Sequence, residues 1–187
     1  MLPFVGSYSH VWKSKVIKMI EVKVKDADLQ RAAQEGMDEF IAVFTDAILR
    51  AIGGELNAEN MAELNVDQIT LLGYVALREE VMNGGFVQLI HNGYGEFIYK
   101  NPFHKAVRNW GMQDLYRMIN KSRTLYNRYH EEIEKDCSQE EFDALYEKYA
   151  EFDDFDDAFV EGEEGFTSQV AHYIDEHIEN FAIVENE

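Results

Sequence analysis

Proline is nearly missing from this 187-residue chain, which has only Pro3 and Pro102. Proline removes a backbone donor and clashes with the preceding helical turn, so its scarcity leaves long helices possible. Cysteine is equally scarce. Cys137 stands alone, so no intrachain disulfide can form, and its acidic surroundings offer no cation to activate a thiol. Long apolar runs are missing too. The longest covers residues 40–44, against the roughly 20 that a bilayer requires. Near the N-terminus the bases Lys13, Lys15 and Lys18 follow the apolar residues, the reverse of a secretory signal. These absences point to the cytoplasm and away from a membrane.

Positive charge is missing from one end. Residues 131–187 hold 21 Asp and Glu against two bases, Lys135 and Lys148, while residues 1–130 hold 15 acids and 15 bases. The formal charge of -19 therefore belongs to the C-terminal segment. Such a surface is repelled by DNA phosphates and anionic membranes, so neither is expected as a direct partner, and a basic protein is. The segment does not read as a disordered tail, because the chain is 46% hydrophobic with 12 Phe and 10 Tyr. The length fits one compact unit in two parts. Residues 1–60 would form an N-terminal arm and first helix, and residues 61–187 an acidic helical domain.

The patterning predicts an all-α, bundle-like fold with one short N-terminal strand. In residues 16–25, Ile20, Val22 and Val24 alternate with Glu21, Lys23 and Lys25, a period of two. Asp26 or Asp28 would then cap one helix carrying Leu29, Ala32, Ala33, Met37, Phe40, Ile41, Phe44 and Ile48, ended by Gly53-Gly54. Asn65 with Gln68 matches a capping box ahead of a helix that stops at Asn83-Gly84-Gly85 and restarts at Phe86. Asn101-Pro102 would begin another helix, closed by Gly111. Leu115, Met118, Ile119, Leu125, Tyr126 and Tyr129 mark a longer one. Ser138 with Glu141 is a second capping box. Gly162 and Gly165 are expected to end the acidic helix before a last helix with Phe166, Val170, Tyr173, Ile174, Ile178 and Phe181.

The acidic stretch is threaded with Phe142, Leu145, Tyr149, Phe152, Phe155 and Phe159 at three- and four-residue steps. That stripe would bury one face and leave the carboxylates on the other. As one helix, residues 140–161 would span about 33 Å and carry about one carboxylate per 3.3 Å. One strand of B-DNA offers a phosphate about every 3.4 Å. Glu147, Glu151, Asp153, Asp154, Asp156 and Asp157 are thus the candidate contacts for a basic groove. The alternative is a face that serves only solubility.

No motif supports catalysis. From Asp153 the EF-hand spacing puts Phe155 third and Ala158 where glycine is required. His172, Glu176 and His177 make at most half of a metal site. Neither a nucleophile elbow nor a phosphate-binding loop is present. We expect no enzyme activity, no cofactor and no metal.

The sequence Glu79-Glu80-Val81-Met82-Asn83-Gly84-Gly85-Phe86-Val87-Gln88, then Asn92, resembles a bacterial family of acidic helical proteins, the DNA-mimic protein C-terminal domain family. Ala106-Val107-Arg108-Asn109-Trp110-Gly111, the block 152–159 and Tyr173-Ile174-Asp175-Glu176-His177 are similar to it as well. The likeness spans residues 67–181. It implies an α-helical protein able to form a homodimer, and a partner that is a DNA-binding protein. Physically, Asn83-Gly84-Gly85 reads as a helix stop and restart, with Gln88 and Asn92 bonding the exposed backbone. A rival reading makes Asn83, Gly84, Gly85, Gln88 and Asn92 the centre of a small-ligand or metal site, and another a structural or immunity-type protein.

Overall fold

The computed structural model describes residues 19–57 and 59–186. Lys13, Lys15 and Lys18, and the start of the alternating run at Val16, lie outside them. The described part is all-α apart from two three-residue strands. β1 (Lys23–Lys25) pairs in parallel with β2 (Ile183–Glu185), with Val24 opposite Val184. The strand expected from the alternation is therefore present, with Val22 and Val24 buried. Its partner is the other end of the chain.

The first helix departs from expectation. It is two helices, α1 (Asp26–Glu35) and α2 (Met37–Ala51), separated by Gly36 at φ 154°. Lys25 occupies the N-cap of α1 without a side-chain bond. Asp26 and Asp28 instead accept from Gln30 and Arg31 at 2.6 and 2.8 Å. The break lets each helix turn its own apolar residues inward. α1 buries Leu29 and Ala32, and α2 buries Phe40, Ile41, Phe44 and Ile48, while Ala33 and Met37 stay exposed.

α3 (Val66–His91) opens on the predicted capping box. Gln68 donates its backbone N–H to Asn65 Oδ1 at 2.9 Å, and Asn65 donates its own to Gln68 Oε1 at 3.1 Å. α4 (Gly95–Lys100), α5 (Phe103–Asn109) and α6 (Gln113–Ile133) follow. Pro102, not Asn101, stands at the N-cap of α5, and its carbonyl accepts from Lys105 and Ala106.

α7 (Gln139–Lys148) starts on the Ser138–Glu141 capping box. It ends at Tyr149, and a 3₁₀ turn (Ala150–Phe152) leads into α8 (Asp153–Glu176). Gly162 and Gly165 do not end α8. A mid-helix glycine costs about 1 kcal/mol, whereas burying a Phe or Val side chain contributes about 1.5–3 kcal/mol. Phe159, Phe166 and Val170 flank the two glycines and are all buried, so packing outweighs propensity. α8 ends at His177, which leaves Ile178 and Phe181 in a separate turn, α9 (Ile178–Phe181). α3 and α8 pack along each other at the centre, with Tyr74, Phe86, Phe159 and Ile174 fully enclosed.

Candidate protein-interaction surface

α3 bends where the sequence placed its stop. Gly84 (φ -163°, ψ 25°) and Gly85 (φ 70°, ψ -174°) leave helical geometry, and Phe86 resumes it. The bend frees backbone groups that must be satisfied. Asp156 Oδ1, from the first turn of α8, accepts the Phe86 N–H at 2.8 Å. Tyr146 of α7 donates its hydroxyl to the Gly84 carbonyl at 3.1 Å. Phe86 is fully buried against Phe155 and Phe159, at ring separations of 6.4 and 6.3 Å. The Asn-Gly-Gly turn is thus the seat on which the acidic segment docks. A Cβ at Gly85 would lie 2.3 Å from Asp156 Oδ2, and one at Gly84 would lie 2.8 Å from the Tyr146 hydroxyl. Only glycine allows that approach.

Gln88 and Asn92 do not bond the turn's backbone, as had been expected of them. Both donate side-chain N–H groups to Glu80 Oε2, at 3.0 and 2.8 Å. Asn83 is exposed. A cavity of about 230 Å³ beside Gln88, His91 and Asn92 is lined on its other side by residues 137–139 and Phe142, and Asn83 takes no part in it. Among the described residues no three of His, Cys, Asp and Glu converge to hold a metal ion. With its backbone groups already bonded by Asp156 and Tyr146, the turn does not favour the small-ligand reading.

The six candidate contact residues divide. Glu147, Asp153, Asp154 and Asp157 are exposed and form no salt bridge among the described residues. Glu151 is exposed but engaged, since Tyr129 donates its hydroxyl to it and Arg128 pairs with it at 3.4 Å. Asp156 is turned inward. Burial pushes its carboxyl from 3.8 up to about 6, with Asp153 and Asp157 adding repulsion. Its position was visible in the spacing, because it lies four residues after Phe152 and three before Phe159, on the apolar stripe.

The break at Tyr149 rules out a single 22-residue helix, so the continuous array over residues 140–161 is not formed. A shorter one is. Asp153, Asp154, Asp157, Glu161 and Glu164 are all exposed on the first half of α8. From Asp153 to Glu164 the axis rises about 16 Å, so the four intervals between these five carboxylates average about 4 Å. No base interrupts them. Lys148, the only base between Lys135 and the end of the chain, turns back to Glu132 of α6 at 2.6 Å. The same Glu132 accepts from the Tyr149 hydroxyl at 2.7 Å. Those bonds, Lys148 first, hold the Glu132 carboxyl down at about 2.

Fold and surface define a class: an acidic helical protein whose carboxylates are held on a folded scaffold, not a tail. The family model described as DMP19-like protein matches residues 62–177, from just before α3 to the end of α8. The chain belongs to that family. It is 33% identical over 125 residues to the DNA mimic protein DMP19 of Neisseria meningitidis serogroup B (strain ATCC BAA-335 / MC58), a match covering 66% of this chain and 76% of that protein. The family model's match includes the Asn-Gly-Gly turn and α8, the segment that builds the surface. No described helix is long and apolar enough to cross a membrane.

Proposed function

We propose that this chain acts without catalysis, in the cytoplasm, by imitating DNA toward a basic DNA-binding protein. The observation that carries the reading is the run of Asp153, Asp154, Asp157, Glu161 and Glu164 along α8, at a spacing of about 4 Å against about 3.4 Å for phosphates along one strand of B-DNA. The stripe is rigid, because the opposite face of α8 is packed into the core through Phe159, Phe166, Val170 and Ile174. Little side-chain or backbone order must be gained on binding, which lowers its cost. Glu147 and Glu151 extend the field toward α7. Electrostatic attraction speeds encounter with a basic groove and makes the complex salt-sensitive. A homodimer would set two such stripes on one particle. The relative's name, a DNA mimic, supports the same reading.

The test is capture of proteins from a bacterial lysate on the immobilised chain at low salt. DNA-binding proteins should be retained and should be displaced by duplex DNA. A chain carrying Asp153→Lys, Asp154→Lys and Asp157→Lys should retain none of them. Recovery of nothing that DNA displaces, or equal recovery by the reversed chain, overturns the reading.

A further inference from the structure

The C-terminal ends of α3 and α6 meet beside the start of α4, around a cavity of about 310 Å³. His91, Asn92, Glu96, Lys100, Tyr126 and Glu134 line it. Tyr126 is fully buried and held from several sides. Its ring stacks on Tyr99 at 4.5 Å, meets His130 at 4.6 Å, and lies so close over Gly95 that a Cβ there would come within 2.5 Å. Yet its hydroxyl makes no hydrogen bond of normal geometry, although the Glu134 carboxylate is near enough to interact with it. A buried polar group left unpaired is destabilising, and phenylalanine would fill the same space without that penalty.

The surroundings say what would satisfy it. Burial, then the negative charges of Glu134 and Glu96 and a weaker hydrogen-bonding contact with Glu134, push the Tyr126 hydroxyl up to about 12, so it is neutral and both carboxylates are close by. Lys100 lies 3.6 Å from Glu96, while Glu134 forms no salt bridge among the described residues. Two helices end here, α3 at His91 and α6 at Ile133, and helix C-termini carry partial negative charge that favours cations. His91 Nδ1 donates to the Ile133 carbonyl at 2.7 Å, so Nε2 is the ring nitrogen not engaged by that bond. The cavity therefore offers carboxylates, a phenol oxygen and an imidazole nitrogen, with one base among them.

We propose that this cavity receives a guanidinium group, the side chain of an arginine on a partner protein, held between Glu96 and Glu134 above the Tyr126 hydroxyl. A planar fork of five donors suits acceptors that approach from several directions, which a compact and strongly hydrated ammonium suits less well. A metal ion is not the occupant the residues describe, since among the described residues no three of His, Cys, Asp and Glu converge to hold one. The site is separate from the α8 stripe and stands whether or not that stripe imitates DNA. It is coupled to the acidic segment, because the His91 ring packs on Phe142 of α7 at 4.7 Å.

The full chain is titrated with N-acetyl-arginine amide while the ring signals of Tyr126 and His91 are followed by NMR. N-acetyl-citrulline amide, of the same shape without the charge, and spermidine, a flexible ammonium, are the comparison probes. Saturable binding of the arginine probe is expected, with citrulline at least about tenfold weaker and spermidine weaker as well. Glu134→Gln, an exposed position, should weaken arginine binding about tenfold and Tyr126→Phe about threefold, with the latter leaving the melting temperature unchanged or higher. Glu140→Gln, an exposed acid elsewhere, should change it less than about twofold. Equal binding of citrulline, or arginine binding unaffected by both Glu134→Gln and Tyr126→Phe, overturns the proposal. So does spermidine binding tighter than arginine at these signals, which would assign the cavity to ammonium groups.

Discussion

Asp156→Asn should stabilise this protein at neutral pH, although it removes one partner's charge from a hydrogen bond. The Asp156 carboxylate is half-buried and accepts the Phe86 N–H at 2.8 Å, an interaction that an amide oxygen can keep. Burial, with help from Asp153 and Asp157, raises its pKa from 3.8 to about 6. The native carboxyl therefore holds its proton more tightly than the unfolded one. Between about pH 4 and pH 6 the native state binds more protons, so the stability linked to this residue falls as pH rises and is lowest above that window. At about 1.36 kcal/mol per pH unit the whole gap is worth at most about 3 kcal/mol. The side chain is partly open to water, and screening reduces this to about 1–2 kcal/mol. For a chain of this size that is a melting-temperature gain of about 2–8 °C for the variant at pH 7.5. Melts followed by circular dichroism should show the gap shrinking by about a third at pH 5.2, still above the pI of about 4.6. A variant less stable than the parent at pH 7.5, or a gap that does not change between the two pH values, would refute the reasoning.

Two glycine substitutions should go in opposite directions. Gly165→Ala meets nothing within 4 Å and sits inside α8, so it should add about 0.5–1 kcal/mol. Gly85→Ala combines a φ of 70° with a contact of 2.3 Å to Asp156 and should cost at least about 2 kcal/mol in denaturant melts. Because the unpaired acids of α7 and α8 repel one another, the melting temperature should rise between about 20 mM and about 200 mM salt, and a flat response would contradict the surface described.

Features set by neighbouring residues were legible without the fold. Asn65 with Gln68 and Ser138 with Glu141 cap their helices as read, because a capping box needs only four consecutive residues. The restart at Phe86 was visible in Gly84-Gly85, and the strand in the alternation from Ile20 to Lys25. What failed depended on competition with packing. Gly162 and Gly165 look like a helix end, and Asp26 or Asp28 looks like a cap. Neither reading includes the buried Phe159 and Phe166 that carry α8 onward, or the break at Gly36 that divides α1 from α2. That Tyr126, Glu96 and Glu134 share a cavity gave no signal, since only the fold brings α4 beside the end of α6.

By itself the sequence determined that the chain is helical and carries its acids between core-forming aromatics, since charge and three- to four-residue periodicity belong to the chain. Only the tertiary structure decided which acids face solvent. Asp156 stands in the same acidic run as Asp153, Asp154 and Asp157, yet it turns inward because the bend at Gly84-Gly85 leaves the Phe86 N–H in need of an acceptor. The same docking fixes α8 against α3 and leaves Asp153, Asp154, Asp157, Glu161 and Glu164 outside. A buried backbone donor 70 residues away in sequence thus selects the surface that a partner meets.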